Sequence, residues 1–245
     1  MLQLQQAVQQ KLINRNIRLI GLGGIGGILA RFLARFLATL APDSPLYLID
    51  GDTFELRNRS RMEFHRLGNK AVVTAQQLAQ ACPRLRVLPI PAYVSPENIS
   101  ALITTGDICF AMVDNHTSRQ LLATHCQALP DIVLLSGGND GVDATHHGTF
   151  GNCQLFVRHQ GVSLTNAPTR YHPEIAQAQD QAPYALSCGE LMQAGAEQLL
   201  FTNLAVASAM LNAFLGWLLH AHPPYEEVYL DVLLGRVIPV TRQIA

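Results

Sequence analysis

The residues best suited to chemistry begin with Gly21-Leu22-Gly23-Gly24-Ile25-Gly26, a G-x-G-x-x-G turn that follows the short apolar run Ile17-Arg18-Leu19-Ile20. Glycines in such a turn let the backbone bend sharply and a phosphate approach the N-terminus of the next helix, where unpaired N–H groups and the helix dipole favour anions. The same spacing also occurs where a strand and a helix merely pack closely, so the turn alone decides little. Asp50 closes a second apolar run, Leu46-Tyr47-Leu48-Ile49, roughly two dozen residues later, the distance at which an acid reaches ribose hydroxyls. From Asp50 to Lys70 the chain is polar and rich in cations, with Asp52, Asn58, Arg61 and Lys70 in that order. An amide donor, a planar guanidinium fork and a compact ammonium are the groups that hold phosphate oxygens. The series predicts a nucleotide site. Up to Asp50 a nicotinamide-dependent oxidoreductase and an ATP-using enzyme look alike; the cation-rich loop is what an ordinary dehydrogenase lacks.

The elements that must carry these groups can be read from periodicity. Ile25, Ile28, Leu29, Phe32, Leu33, Phe36, Leu37 and Leu40 recur at helical spacing after the glycine turn, with Arg31 and Arg35 on the other side, so one face packs on a sheet. A second helix is expected after Lys70, then a strand over Arg86–Ile90 and a helix from Pro96 to Thr105 with Ser95 as its cap. Ile108-Cys109-Phe110-Ala111-Met112-Val113 is a nearly continuous apolar strand, as in a parallel sheet covered on both faces, and it delivers Asp114 to the sheet's carboxyl edge. Thr117 to Leu129 reads as a helix and Ile132–Leu135 as a buried strand. Gly137–Asp143 reads as a turn and residues 148–157 as antiparallel strand. These alternations predict an α/β, doubly wound, Rossmann-like sheet, parallel in its N-terminal half with antiparallel strands added C-terminally.

Taken together and in order, Gly21 to Gly26, Asp50 and Asp52, Asn58, Arg61, Gly68-x-Lys70-Ala71 and Asp114-Asn115-x-x-x-Arg119 resemble the family of ThiF, MoeB, HesA and the ubiquitin-activating enzymes. Arg57, Arg59 and Met62 depart from that pattern, and the loop from Arg61 to Gly68 is short. The size and C-terminal segment resemble the ThiF-like branch of the plasmid-associated PRTRC system. The resemblance implies an ATP-dependent adenylyltransferase that activates the C-terminal carboxylate of a small ubiquitin-like or sulfur-carrier protein. It places Gly21, Gly23, Gly24, Gly26, Asp50, Asp52, Asn58, Arg61 and Lys70 on ATP, Arg61 and Lys70 in catalysis, and Asp114 on Mg²⁺. Asp114 would otherwise cap the helix that follows it. Cys188, before the last long helix, stands where relatives carry a reactive cysteine, which implies thioester transfer to a conjugating enzyme or carrier; the plain alternative is an unreactive thiol. A homodimer is implied by the same likeness. Two other classes remain in view: a NAD-dependent oxidoreductase, and a non-catalytic docking or dimerisation module on the same fold.

A length of 245 residues, 49% hydrophobic and 14% charged, is enough for one substantial core, organised as an N-terminal helix over 1–15, a nucleotide-binding core over 16–160, a crossover over 161–190, and a terminal helix and hairpin over 191–245. A formal net charge of −1 gives no general attraction to nucleic acid or to an anionic membrane. The most apolar run, Leu199 to Leu219, is interrupted by Thr202, Asn203, Ser208 and Asn212, and is expected to be a buried helix. Five cysteines form no C-x-x-C pair, which points to a reducing cytoplasm, and Cys82, Cys109, Cys126 and Cys153 fall in elements where they would pack. His146-His147 and His220-x-His222 lack partners at metal-ligand spacing.

Overall fold

The computed structural model describes residues 2–142, 147–186 and 198–243. Helix α1 (Leu2–Leu12) is followed by β1 (Ile17–Ile20), α2 (Gly24–Leu40) and β2 (Leu46–Ile49). The cation-rich loop then pairs β3 (Thr53–Phe54) with β4 (Gly68–Asn69) before α3 (Lys70–Ala81) and β5 (Val87–Ile90). Next come α4 (Ile99–Leu102), β6 (Ile108–Ala111), α5 (His116–Ala128), β7 (Ile132–Asn139), β8 (Phe150–His159) and β9 (Val162–Ser163). A crossing segment that carries the short helix α6 (Pro173–Ala176) leads towards α7 (Leu200–Leu219) and the hairpin β10 (Glu227–Asp231) and β11 (Arg236–Val240).

Strands run β5-β2-β1-β6-β7 in parallel, and β8, β10 and β11 then add antiparallel, giving the expected doubly wound α/β sheet with its C-terminal extension. The alternation of a strand sorts its residues between two cores. On β6, Ile108 and Phe110 join the core beneath α2, α3 and α7, whereas Cys109 and Ala111 join the one beneath α4 and α5. Both faces of the parallel half are thereby covered, which is why its strands read as apolar runs, interrupted on β1 by Arg18, whose charge is met by Asp107 at 2.9 Å.

Helix α7 is long and apolar enough to cross a membrane, yet it lies against α2, β7 and β8. Its buried polar groups find partners there: Thr202 donates to the Gly148 carbonyl at 2.5 Å, and Asn139 donates to the Asn203 side chain at 3.1 Å. Lys11 of α1 donates to the carbonyls of Trp217 and of His220, the latter at 2.7 Å, placing a cation at the negative end of α7.

Two local expectations are corrected. The helix expected over Pro96–Thr105 shrinks to α4, and Ser95 does not start it: Asn98 is the N-cap residue, its side chain accepting from the Ser95 N–H and donating to the Tyr93 carbonyl. Gly137 and Gly138 of the expected turn are strand, because β7 runs on to Asn139, while Gly141 beyond it has a φ of +65°. A Cβ on Gly137 would meet Met210 Sδ at 2.3 Å, so the residue is small because α7 crosses the strand there.

Candidate active site

The glycine turn leaves β1 at Gly21, whose φ of +87° and closeness to the Met112 carbonyl exclude a side chain. Gly23 caps α2 without any side-chain hydrogen bond, so first-turn N–H groups remain for a ligand. Gly24 is instead backed by Asn203 of α7, 2.1 Å from where its Cβ would stand, while a Cβ on Gly26 would strike the Gly21 carbonyl.

Asp50 closes β2 directly beside this turn. Its carboxylate accepts from the Leu22 N–H at 2.6 Å and from the Asp52 N–H at 2.8 Å. Burial lifts its pKa to about 6 despite the opposing pull of Lys70, so the charged form is poorly compensated. Lys70 is the first residue of α3, and its side chain reaches back to Asp52 Oδ2 at 2.8 Å. Burial works against the Lys70 charge, but Asp50 and Asp52 outweigh it and raise the pKa. Asn69 fixes the frame: its side chain caps α3 at the Val72 N–H and donates to the carbonyls of Asp50 and Asp52.

The intervening loop is folded rather than solvated. Phe54 stacks on Phe64 with centroids 4.6 Å apart over Val73, and Arg31 of α2 holds Glu63 by its side chain and its carbonyl. The loop's cations divide accordingly. Arg57 pairs with Glu55 at 2.6 Å, Arg59 lies over the Phe64 ring and Arg66 bonds Gln76. Arg61 has a buried Nε with no hydrogen-bond partner. Buried Asn58 closes a capping box with Glu55 at the start of the short 3-10 turn.

These groups line one cavity of ≈ 530 Å³ that takes in Gly21, Asp50, Asp52, Asn58, Arg61, Lys70 and Asp114. Asp114 is exposed on its wall and does not cap α5; Asn115 does, accepting from the Ser118 N–H at 2.7 Å. The Asn115 Nδ2, like the Arg61 Nε, is buried without a partner on this wall. A buried donor left unpaired costs about 1–3 kcal/mol, so the pair suits a ligand that brings acceptor oxygens. A second cavity, of ≈ 480 Å³, meets the first along Ile25, Met112, Val113 and Asp114. Arg119 lies on its wall, bonded to the Gly137 carbonyl at 2.9 Å, and burial lowers its pKa against the pull of Asp114, Asp180 and Glu174.

Of the described residues proposed for the nucleotide from the sequence, all but Gly26, which packs against the Gly21 carbonyl, line one space, while Cys188 and His146 lie outside the described residues. Cys82, Cys109, Cys126 and Cys153 are buried, and burial pushes the Cys153 thiol up to about 12. No group of His, Cys, Asp and Glu that could hold a metal by itself occurs among the described residues. Sequence reasoning passed over Tyr93 and the donor of Asn115. Tyr93 reaches Asp52 across 41 residues of chain, and no local spacing announces that contact.

The ThiF family model matches residues 1–232. The chain belongs to the ThiF family. Among the ThiF-like proteins it resembles are protein HesA of Nostoc sp., 29% identical over 125 residues (49% of this chain, 48% of that protein), and the molybdopterin-synthase adenylyltransferase of Escherichia coli, 29% identical over 133 residues (53% and 51%). The chain spans about half the length of these curated relatives. Among solved structures, E. coli MccB with AMPCPP and MccA superposes with a TM-score of 0.71 at 16% identity, covering 98% of this chain and 67% of that one. At that identity the likeness is one of fold.

Proposed function

We propose that this ThiF-family chain is an ATP-dependent adenylyltransferase that activates the C-terminal carboxylate of a small ubiquitin-like or sulfur-carrier protein. The observation that carries the reading is the meeting of two cavities at Asp114, one rich in phosphate-binding groups and the other open to a second reactant. The names of relatives support it, among them the sulfur carrier protein ThiS adenylyltransferase of E. coli, 29% identical over 125 residues.

Adenylation forms a bond between a carboxylate oxygen and the α-phosphorus of ATP and breaks the bond to pyrophosphate, which leaves with the electron pair. The demand on the protein is to gather several negative charges and to hold them more tightly as charge builds on the leaving group. The α2 N-terminus, the Arg61 and Asn115 donors and the Lys70 ammonium meet that demand at the phosphates. Asp50 offers its oxygens to the ribose. Asp114, at the join of the two cavities, is the residue that would hold Mg²⁺, which supplies charge screening between phosphate oxygens when bound. Arg119 gives the second cavity a half-buried cation for an entering carboxylate. Because the described cysteines are buried, a subsequent thioester step falls to Cys188.

The test is ATP–pyrophosphate exchange in the presence of candidate carrier proteins. Asp114→Ala is expected to lose about a hundredfold or more, roughly 3 kcal/mol, the scale for one major transition-state stabiliser; a folded variant exchanging at the wild-type rate would refute the assignment. Cys188→Ala is expected to retain exchange and to lose any reductant-sensitive adduct. Thermal unfolding separates the oxidoreductase reading: Mg-ATP at about a hundredfold over its Kd adds roughly 2.7 kcal/mol, a shift of roughly 5–10 °C at this chain length, whereas stabilisation by NAD⁺ or NADH alone would favour the dehydrogenase.

A further inference from the structure

Tyr93 stands just beyond β5 on the wall of the first cavity, and nothing in the glycine turn or the cation-rich loop calls for a tyrosine there. Its hydroxyl donates to Asp52 Oδ1, while Lys70 donates to the other oxygen, Oδ2, at 2.8 Å. The ring lies against Gly51, between the two acids: a Cβ on Gly51 would come within 2.5–2.7 Å of three ring atoms. Asn98 holds the segment from behind by donating to the Tyr93 carbonyl at 2.8 Å. The ring, the glycine and the two hydrogen bonds therefore form one fixed unit.

We propose that Tyr93 is a positioning residue that acts through Asp52 to set the direction of the Lys70 ammonium. This rests on the reading of the first cavity as a phosphate site. An ammonium carries three protons, and a carboxylate with both oxygens unoccupied competes for more than one of them. Tyr93 occupies Oδ1, so Asp52 takes one proton of Lys70 and the others stay turned to the cavity. The Asp52 charge follows the same logic. Burial acts to raise its pKa, but Lys70 and the Tyr93 hydroxyl outweigh burial and hold it below the ordinary range. Asp52 thus stays ionised without needing a second proton from the lysine that the phosphate requires.

The experiment uses inorganic tripolyphosphate as the probe, with binding measured by calorimetry at fixed salt. Tyr93→Phe keeps the ring against Gly51 and removes only the hydroxyl, so the fold is expected to survive. Its affinity should fall about tenfold, equivalent to about 1.4 kcal/mol. In an Asp52→Asn background the same change should alter affinity less than twofold, because two groups acting as one unit are not additive. In the unliganded protein, the ¹³C signal of the Asp52 carboxyl should titrate at higher pH in Tyr93→Phe, which a purely packing role would not cause. Wild-type affinity in Tyr93→Phe, multiplicative effects of the two substitutions, an unmoved Asp52 titration, or a wild type that does not bind tripolyphosphate would each overturn the proposal. A wild type that binds the probe but exchanges no pyrophosphate with any carrier protein would remove the adenylation reading and leave the positioning of Lys70 standing.

Discussion

Two clusters of charge, Asp50–Asp52–Lys70 at the first cavity and His172–Glu227–Arg242 at β10, each hold a buried carboxylate and differ in how it is compensated. Glu227 has a cation at each oxygen, His172 at 2.7 Å and Arg242 at 2.6 Å, with Gln154 donating as well at 3.3 Å. Burial opposes its charge, yet these partners prevail and depress its pKa to about 2. Among the described residues Asp50 is met only by backbone N–H groups, with Lys70 acting on it from beside Asp52, and its pKa rises to about 6. The Glu227 carboxylate is finished by the fold and the Asp50 carboxylate is not. A buried acid whose charge the protein leaves incompletely matched is one a ligand can complete, which supports the proposed site at Asp50 and gives no such support at Glu227.

His172 makes the contrast concrete. Nδ1 faces Glu174 Oε1 at 2.9 Å and Nε2 faces Glu227 Oε1 at 2.7 Å. A neutral imidazole has one N–H, so two carboxylate acceptors call for the imidazolium. The segment carrying α6 is thereby fastened to β10, and Asp180 fastens it again by accepting from the His116 and Thr117 N–H groups at the start of α5. Glu174 and Ile175 face the second cavity from this segment, so the finished cluster supports the wall of the unfinished site.

The comparison breaks most directly at Glu227. Glu227→Ala would strip His172 and Arg242 of the buried carboxylate they share and leave them Glu174 and Glu226 as partners; losing two charged hydrogen bonds is expected to cost about 3 kcal/mol, a fall of roughly 6–12 °C in Tm at this chain length, and a drop of a degree or two would show that the cluster is not compensated as described. Lys70→Ala removes the cation that opposes Asp50, which can take up a proton instead, so Tm should fall by less than in Glu227→Ala while ATP–pyrophosphate exchange falls by about a hundredfold. Asp50→Asn sharpens the contrast through its sign. A raised carboxyl pKa means stability that is present below the unfolded value and lost as pH climbs through about 6. Urea unfolding should therefore find the variant more stable than wild type at pH 8, by about 1 kcal/mol, and no more stable at pH 4, with exchange lost throughout. The smallest effect belongs to His172. Burial works against its charge, but Glu227 and Glu174 outweigh burial and raise its pKa, so its contribution is full below the unfolded value and fades as pH rises through the folded one. Wild-type stability should decline on that alkaline side, and a His172→Gln protein should lack the decline.

What the sequence by itself determined is what local pattern can carry. Unbroken apolar runs such as Ile108–Ala111 and Ile132–Leu135 meant strands buried on both faces, and the glycine turn between Ile20 and Ile25 meant a helix start open to an anion. Asp50, Lys70 and Asp114 were legible because each sits at the end of an element whose limits are written in its neighbours. Only the tertiary structure decided which charges are spent and which are free to act. Arg57, Arg59 and Arg61 look alike in sequence, yet one pairs with Glu55, one lies on Phe64 and one keeps an unpartnered Nε. Gly137 reads as turn chemistry until α7 is laid across it. Tyr93 and Asp52 meet because β5 lies beside β2 in the sheet, and His172 and Glu227 because the segment carrying α6 lies against β10; a hydrogen bond or ion pair depends on distance in space, which spacing along the chain does not record.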